Sequence, residues 1–188
     1  PSIGGVGLIR DYKKMITMNL KNIDNLVLIV GKTEGHIDQS LFSRVILDEK
    51  NGPPPEVNLF NEKNNGEYLL KLIDKGYIKS AHDISLGGLI TALSKMCIKG
   101  NKGVKLNKLK IFLNEFEYFF AEDQGRYLIE ITKKDYKKVT DILNKNAVHF
   151  DELGTINEEY LYINEKTKVT IDELRSYNSN WLTNFMSA

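Results

Sequence analysis

A histidine, a carboxylate and a hydroxyl lie close together in the segment His82-Asp83-Ile84-Ser85-Leu86-Gly87-Gly88. The pattern places them at the end of a predicted strand, where two glycines lead into a helix. Backbone amides and the positive end of a helix dipole attract anions at such a position, and Ser85 is a typical N-cap residue. The segment therefore predicts either a ligand site or a well-capped helix that packs tightly against the sheet. Its candidate site residues are His82, Asp83, Ser85, Gly87 and Gly88.

A second polar cluster, Glu122-Asp123-Gln124-Gly125-Arg126, stands immediately before a predicted buried strand. Adjacent carboxylates repel each other and need a cation, a metal or solvent nearby, and Arg126 can supply one pairing within the cluster. An exposed turn explains the same residues equally well. If both clusters stand at strand ends, we expect them to meet in space although about 40 residues separate them. The candidates here are Glu122, Asp123, Gln124 and Arg126.

Three other features carry less information about chemistry. Gly31-Lys32-Thr33 is similar to the end of a phosphate-binding loop, but Leu26 stands where that loop requires glycine. Cys97 lies on the apolar stripe of a predicted helix, which favours burial over nucleophilic chemistry. The spacing around His36 and His149 does not indicate a ligand set, and we assign neither a role.

The elements that must position these residues follow from hydrophobic patterning. Residues 25–31 form a continuous apolar run, ended by glycine, that predicts a strand buried on both faces. Apolar residues at helical spacing predict amphipathic helices over residues 62–76 and 89–100, with Leu93 on the buried stripe of the second. Residues 126–131 predict another strand.

Shorter elements complete the predicted architecture. We expect a short helix over residues 42–47, extended segments over 78–84 and 104–109, a helix after the capping sequence at 132–135, and a pair of strands, 150–156 and 160–163, around Asn157-Glu158-Glu159. Residues 114–120 are ambiguous. Because the order mixes crossovers with hairpins, we expect an α+β fold in which a mixed β-sheet is covered by α-helices.

The end of the chain predicts one more helix. Thr170-Ile171-Asp172-Glu173 is a capping-box pattern, and apolar residues recur at helical spacing after it. We expect this part of the chain to dock an apolar face. The residues concerned are Trp181, Leu182, Phe185 and Met186.

The composition excludes several classes of function. The 188 residues contain 26 Lys and Arg against 25 Asp and Glu, and the net charge of +1 disfavours charge-driven binding to nucleic acid or to an anionic membrane. Cys97 is the single cysteine, which excludes an intrachain disulfide and a zinc site built on thiolates and fits a reducing, cytoplasmic compartment. No apolar run approaches the roughly 18 residues that cross a bilayer. We expect a soluble chain without nucleic-acid or membrane partners.

Three further motifs are Gly31-Lys32-Thr33-Glu34-Gly35, Gly52-Pro53-Pro54-Pro55 and Asn65-Gly66-Glu67. Together with the two polar clusters, in this order, they resemble the C-terminal domain of the phosphoribosylformylglycinamidine synthase family. The resemblance covers nearly the whole chain and implies the fold of aminoimidazole ribonucleotide synthetase C-terminal domains. It also implies that residues 1–24 are a connector from an upstream ATP-binding domain and that residues 25–188 are the synthetase-like domain.

The resemblance implies a ligase of purine biosynthesis. Such an enzyme converts formylglycinamide ribonucleotide, ATP and glutamine-derived ammonia into the amidine, ADP and phosphate, with magnesium balancing the triphosphate charge. The catalytic residues and magnesium ligands of the family lie upstream, so we expect no catalytic residue, metal ligand or tightly bound cofactor here, and no activity of this chain alone. The implied partners are the upstream ATP-binding domains of the same polypeptide, a glutaminase subunit and a small bridging subunit.

Internal pseudo-symmetry of the family implies that Glu122, Asp123 and Gln124 face an auxiliary nucleotide site. Leu86 stands where the family usually has an acidic residue. Two alternatives remain open. One is a binding or scaffold module whose polar clusters only cap helices and form a domain interface. The other is the same domain from another member of the superfamily, such as selenophosphate synthetase or thiamin-phosphate kinase.

Overall fold

The computed structural model describes residues 4–107, 113–163 and 167–187. The strands are β1 (Leu26–Val30), β2 (Ile78–Asp83), β3 (Gly103–Leu106), β4 (Tyr127–Ile131), β5 (Phe150–Asn157), β6 (Tyr160–Tyr162) and β7 (Lys168–Thr170). The helices are α1 (Leu41–Val45), α2 (Leu59–Asp74), α3 (Gly88–Gly100), α4 (Glu115–Phe120), α5 (Tyr136–Lys145) and α6 (Ile171–Met186). The strands form one mixed sheet in the order β2-β4-β1-β5-β3-β6-β7. The predicted α+β architecture is confirmed.

β1 lies inside the sheet and is buried on both faces, as its apolar run predicts. It pairs antiparallel with β4 on one side and with β5 on the other. Alternate side chains, beginning with Val27, enter the core shared with α3 and α4. The intervening side chains, beginning with Leu26, enter the core shared with α2 and α5. Both helical layers therefore depend on this strand.

The predicted apolar stripe of α3 faces the sheet, and Gly100 ends the helix as expected. The stripe residues Leu89, Ala92, Leu93, Met96 and Cys97 are all buried. Burial raises the pKa of the Cys97 thiol to about 12, because the thiolate is poorly solvated there. Cys97 thus packs as a core residue, which confirms the prediction of burial.

The last strands differ from the expected pair. β5 and β6 both form, but β3 lies between them, antiparallel to β5 and parallel to β6. The close approach of β3 to β6 depends on Gly103, because a Cβ there would overlap the Tyr160 carbonyl. The short strand β7, which pairs with β6, has no counterpart in the sequence prediction. Part of the strand predicted over residues 104–109 lies outside the described residues.

Two helices carry reciprocal capping boxes. The ambiguous residues 114–120 form α4, in which Asn114 and Glu117 each bind the other's backbone amide. Thr170 and Glu173 do the same at the start of α6, as their spacing predicts. The far end of α6 is a correction: Trp181, Leu182, Phe185 and Met186 are each more than half exposed. Only the first turns of α6 enter the core, through Ile171 and Leu174, so its last turns extend past the domain.

The residues before β1 pack on the sheet from about residue 17. Thr17 bridges to Ser80 on the edge strand β2, and Leu20 is buried in the α3 core. The buried carboxylate of Glu130 accepts hydrogen bonds from the amides of Lys21 and Asn22, at 2.8 and 3.0 Å. It also accepts from Asn25 Nδ2 and Ser80 Oγ. The division between a connector and a domain at residues 24 and 25 stays a prediction.

Within residues 4–107, 113–163 and 167–187, every helix is too short or too polar to span a bilayer.

Substitution of Leu93 by alanine tests the packing of α3. Leu93 is fully buried, so Leu93→Ala is expected to lower the free energy of unfolding by about 2 to 5 kcal/mol. The matched control is Leu70→Ala, because Leu70 is 66% exposed on α2 and its truncation should cost under about 0.5 kcal/mol. Urea unfolding of the chain measures both changes. Equal losses for the two variants would contradict the helix register.

Candidate functional site

The two polar clusters lie at the same end of the sheet. β1 and β2 end there, and β4 and β5 begin there, because Val30 is paired with Tyr127 and Phe150, and Asp83 with Tyr127. The segments that meet at this end are residues 31–40, 83–88, 121–126 and 147–149. The structure therefore brings the clusters together as their strand-end positions predict.

Asp123 is buried and serves as an acceptor for the loop after β1. Its carboxylate oxygens accept hydrogen bonds from the backbone amides of residues 34, 35 and 36, at 2.9 to 3.1 Å. The residue is only 6% exposed. A carboxylate that is saturated by three amides has little capacity left for a ligand. Asp123 therefore positions the loop rather than facing outward.

Arg126 is buried beside Asp123. Its Nε donates to the Asp123 carbonyl at 3.1 Å, one terminal nitrogen donates to Thr33 Oγ1 at 3.0 Å, and the other donates to the Ala121 carbonyl at 2.7 Å. The guanidinium also lies 3.8 Å from the Asp123 carboxylate. Burial lowers the pKa of Arg126, and the negative charge of Asp123 opposes that effect. The pairing expected within the cluster is present, and it is internal.

Glu122 links two further elements. Its Oε1 accepts hydrogen bonds from the amide of Leu41, at the start of α1, and from the amide of Gly87, just before α3, at 2.7 and 2.9 Å. One carboxylate oxygen thus holds two helix N-termini together. These backbone amides take the place of the cation, metal or solvent that the adjacent carboxylates were expected to need.

The segment at residues 82–88 is arranged differently from the expected N-cap. α3 begins at Gly88 with Gly87 at the N-cap position, so Ser85 does not cap the helix. The Ser85 carbonyl accepts the Gly88 amide at 2.9 Å, and the Gly87 amide is bound to Glu122. These amides are therefore engaged within the protein instead of being open to an anion.

The two glycines are required by close packing. Both have positive φ, 81° at Gly87 and 69° at Gly88, a region that other residues seldom adopt. A Cβ at Gly88 would approach the Ala121 carbonyl oxygen to 2.6 Å. The tight helix packing predicted as one alternative is thus what the backbone shows, and it accounts for both glycines.

Three of the predicted site residues remain available on the surface. The Asp83 side chain is 63% exposed and lies 3.0 Å from His82 Nδ1. Ser85 is exposed, as is Gln124, whose Nε2 donates one long hydrogen bond to the Glu122 carbonyl at 3.4 Å. The imidazole of His82 is mostly buried, and its Nε2 is buried without a hydrogen-bond partner among the described residues.

A polar cleft of about 560 Å³ opens beside Gln124. The loop after β1, the start of α2 and the residues before β5 line it, and they include His36 and His149, to which the sequence assigned no role. His36 Nε2 lies 2.9 Å from the Pro53 carbonyl, which ties the proline loop to this edge. Patterning gave no signal for the cleft, because its wall combines segments far apart in the chain.

The cleft does not fit a magnesium triphosphate by itself. Among the described residues, the charged groups that line it are Lys32 and the glutamates Glu34, Glu56 and Glu62, together with the internally paired Asp123. Carboxylates thus outnumber lysine among the described lining residues, which disfavours a polyphosphate. Across residues 4–107, 113–163 and 167–187, no three His, Cys, Asp or Glu side chains are grouped to hold a metal ion.

Comparisons with known proteins are consistent with this architecture. Residues 23–163 match the family described as AIR synthase related protein, C-terminal domain. The phosphoribosylformylglycinamidine synthase subunit PurL of Pelagibacter ubique is 67% identical over 186 residues, which are 99% of this chain and 26% of that protein. The chain spans about a quarter of the length of the curated relatives it matches.

The fold is shared with solved structures of other proteins. T. maritima PurL complexed with FGAR has a TM-score of 0.73 and 20% identity, over 86% of this chain and 29% of that one. T. maritima PurL complexed with ATP has a TM-score of 0.66 and 19% identity, over 86% of this chain and 27% of that one. At these identities the structures establish the shared fold.

Substitution of Asp123 by asparagine tests its role as an acceptor. Asp123→Asn replaces one carboxylate oxygen by a donor that faces backbone amides, which leaves at least one buried donor unpaired and removes the charge beside Arg126. The free energy of unfolding is expected to fall by about 1 to 3 kcal/mol. Asp83→Asn, at an exposed carboxylate, is the control and should change it by under about 0.5 kcal/mol. Urea unfolding of both variants measures these changes. An unchanged free energy of unfolding in Asp123→Asn would contradict the acceptor role of Asp123.

Proposed function

The chain belongs to the AIR synthase related protein, C-terminal domain, family, and from this we propose that it is the C-terminal domain of the ATP-dependent subunit of a phosphoribosylformylglycinamidine synthase. The observation that carries the proposal is the 67% identity to a PurL subunit along 99% of this chain. The five sequence motifs that resemble this synthase family, in the order in which they occur along the chain, also support it. The alternative of thiamin-phosphate kinase is weaker, because a solved thiamine-monophosphate kinase is only 11% identical to this chain.

The proposed reaction belongs to the longer polypeptide. The γ-phosphoryl group of ATP passes to the amide oxygen of formylglycinamide ribonucleotide and ADP is released; ammonia then attacks the amide carbon, and the oxygen leaves with the phosphate. Phosphoryl transfer needs cations placed around the transferred group. The polar cleft is rich in carboxylates, so its residues do not fit that task. We therefore assign the chemistry to upstream domains and no catalytic step to this chain.

The contribution of this domain is to position loops at the boundary with its neighbour. Asp123 and Arg126 hold the loop after β1, and Glu122 joins the starts of α1 and α3. Gln124, Asp83 and Ser85 are the exposed polar groups of the motifs. They are our candidates for contact with an auxiliary nucleotide or with the neighbouring ATP-binding domain.

The proposed enzyme is an assembly of several domains and subunits. The partners are the upstream ATP-binding domains of the same polypeptide, a glutaminase subunit that supplies ammonia and a small bridging subunit. ATP and magnesium serve the complete enzyme, which works in the cytoplasm.

A scaffold role within the same polypeptide is the second candidate. It is favoured by the internal satisfaction of Asp123, Arg126 and Glu122, which explains most of the acidic motif without a ligand. In that case the exposed groups form a domain interface only. The two roles differ in whether Gln124 affects nucleotide binding.

Activity measurements on two forms of the protein test the assignment. The complete polypeptide, supplied with formylglycinamide ribonucleotide, ATP, magnesium and ammonium, should release ADP only when all of them are present. The 188-residue chain alone should release none, because the phosphoryl-binding groups are proposed to lie outside it. Turnover by the chain alone comparable to that of the complete protein would refute the proposed division of labour. No substrate-dependent ADP release by the complete protein would refute the enzyme assignment.

Truncation of Gln124 separates the nucleotide-facing role from the scaffold role. In the complete polypeptide, Gln124→Ala should weaken nucleotide retention by about 1 to 3 kcal/mol if Gln124 faces the nucleotide, as expected for a lost polar contact, while the thermal unfolding temperature stays the same. Weaker subunit assembly with unchanged nucleotide retention would instead indicate the scaffold role. Asn180→Ala, at an exposed amide on α6, is the matched control. Retention and assembly are measured by equilibrium dialysis and light scattering. Nucleotide retention equal to that of wild type would contradict the nucleotide-facing role.

A further inference from the structure

The sequence contains two Asn-Gly pairs, Asn51-Gly52 and Asn65-Gly66, and the structure places them in opposite environments. The side chain of an asparagine before glycine is open to attack by the glycine amide nitrogen, because glycine has no Cβ to hinder the approach. The reaction needs a backbone outside regular structure, an accessible side-chain amide and a glycine N–H that no hydrogen bond holds. The two pairs differ on each requirement.

Asn51 and Gly52 meet all three requirements. Both are exposed in the loop between α1 and α2, outside any helix or strand. Among the described residues, neither the Asn51 side chain nor the Gly52 amide has a hydrogen-bond partner. Gly52 has a φ of 88°, and a Cβ there would overlap the Asp38 carboxylate, so the loop conformation requires glycine at this position.

Asn65 and Gly66 meet none of the requirements. They lie within α2, where the hydrogen bonds of the helix hold the Gly66 amide. Asn65 is only 7% exposed, and its Nδ2 donates to the Gly125 carbonyl at 2.9 Å. Attack on Asn65 therefore requires local unfolding of the helix, which makes this pair an internal control for the first.

We propose that Asn51 is a site of spontaneous deamidation, an inference that does not depend on the proposed function. The Gly52 nitrogen, after its proton passes to hydroxide, bonds to Cγ of Asn51. The Cγ–Nδ2 bond breaks, and Nδ2 takes a proton from water and leaves as ammonia, which produces a five-membered succinimide. Water then opens the ring. Cleavage between the nitrogen and Cγ gives aspartate, and cleavage between the nitrogen and the main-chain carbonyl carbon gives isoaspartate.

The conversion changes the hydrogen bonds that hold this loop. Gln39 Nε2 donates to the carbonyls of Lys50 and Gly52, at 2.8 and 3.1 Å, and thereby spans residue 51. Isoaspartate inserts one extra carbon into the main chain between these two acceptors. One amide group then no longer reaches both carbonyls in the same geometry, and the loop opens more readily.

Deamidation also changes the charge at the edge of the polar cleft. Both products carry a carboxylate at residue 51, one position from Gly52, against which the Asp38 carboxylate packs. Like charges at this separation repel each other. His36 lines the cleft, and its Nε2 lies 2.9 Å from the Pro53 carbonyl of the same loop. The modification therefore loosens the loop that borders the cleft.

Ageing of the complete polypeptide at mildly alkaline pH tests the proposal. Mass spectrometry of peptides measures the replacement of NH₂ by OH at each asparagine. Isoaspartate is counted by methyl transfer from S-adenosylmethionine, catalysed by an isoaspartyl methyltransferase. Asn51 should convert at least about tenfold faster than Asn65, because attack at Asn65 requires the helix to open first. Equal conversion at the two positions would overturn the proposal.

Two controls separate the effect of the fold from that of the sequence. Asn51→Gln, which would have to close a less favourable six-membered ring, should lose most of the methyl acceptance, and unchanged acceptance would refute the site. In concentrated urea, Asn51 and Asn65 should convert at similar rates. A difference that persists in urea would overturn the structural explanation.

Amide hydrogen exchange tests the effect on the loop. Ion-exchange chromatography separates the aged protein by its added negative charge. In the isoaspartyl fraction, the amide of Glu49, which donates to the Ser43 carbonyl at 3.0 Å, should exchange about threefold faster than in the unaged protein. Residues 136–145 of α5 should exchange at the same rate in both. An unchanged rate at Glu49 would contradict the loosening of the loop.

Discussion

The buried carboxylate of Asp123 is the interaction on which this end of the molecule depends. It accepts hydrogen bonds from three consecutive backbone amides of the loop after β1, and the Asp123 carbonyl accepts one from Arg126 Nε. Because both charges are out of water, either one left alone carries a desolvation cost that nothing nearby offsets. The loop after β1 and the loop before β4 consequently behave as one unit. Glu122 extends that unit to α1 and α3, so a single acidic dipeptide positions most of the candidate site.

Much of the fold is predictable because local patterning and tertiary packing agree. The unbroken apolar run of β1 requires burial on two faces, and the stripe containing Leu93 requires one buried helix face. The position of β3 between β5 and β6 was not predictable, since it depends on the contact of Gly103 with Tyr160 across 57 residues of chain. The last turns of α6 were predicted to dock because Trp181 and Phe185 have helical spacing. Both side chains are exposed, because the packed core does not extend to this part of the helix.

The candidate site shows why acidic motifs are difficult to interpret from residue types alone. Glu122 and Asp123 look like ligands for a cation, and the sequence places them correctly at a strand end. Their actual partners are backbone amides, which have no sequence signature and come from segments more than 30 positions away. Gln124, between a buried neighbour and a turn, keeps its side chain in solvent. Of the three polar residues in this motif, Glu122 and Asp123 hold segments of the protein together, and Gln124 is available for contact with a ligand or another domain.

The strand order has a consequence for how the chain is made. Among the described strands, β6 and β7 are the only neighbours in the sheet that are also consecutive along the chain. β1 leaves the ribosome with apolar side chains on both faces, yet its partners β4 and β5 are encoded far downstream. The first of them follows after about 100 residues, or roughly 5 to 20 seconds of synthesis at about 5–20 residues per second. During that interval the five apolar residues of β1 have no strand to pair with. Because α2 and α3 are synthesised before β4, they are the first elements of the domain that can cover this segment.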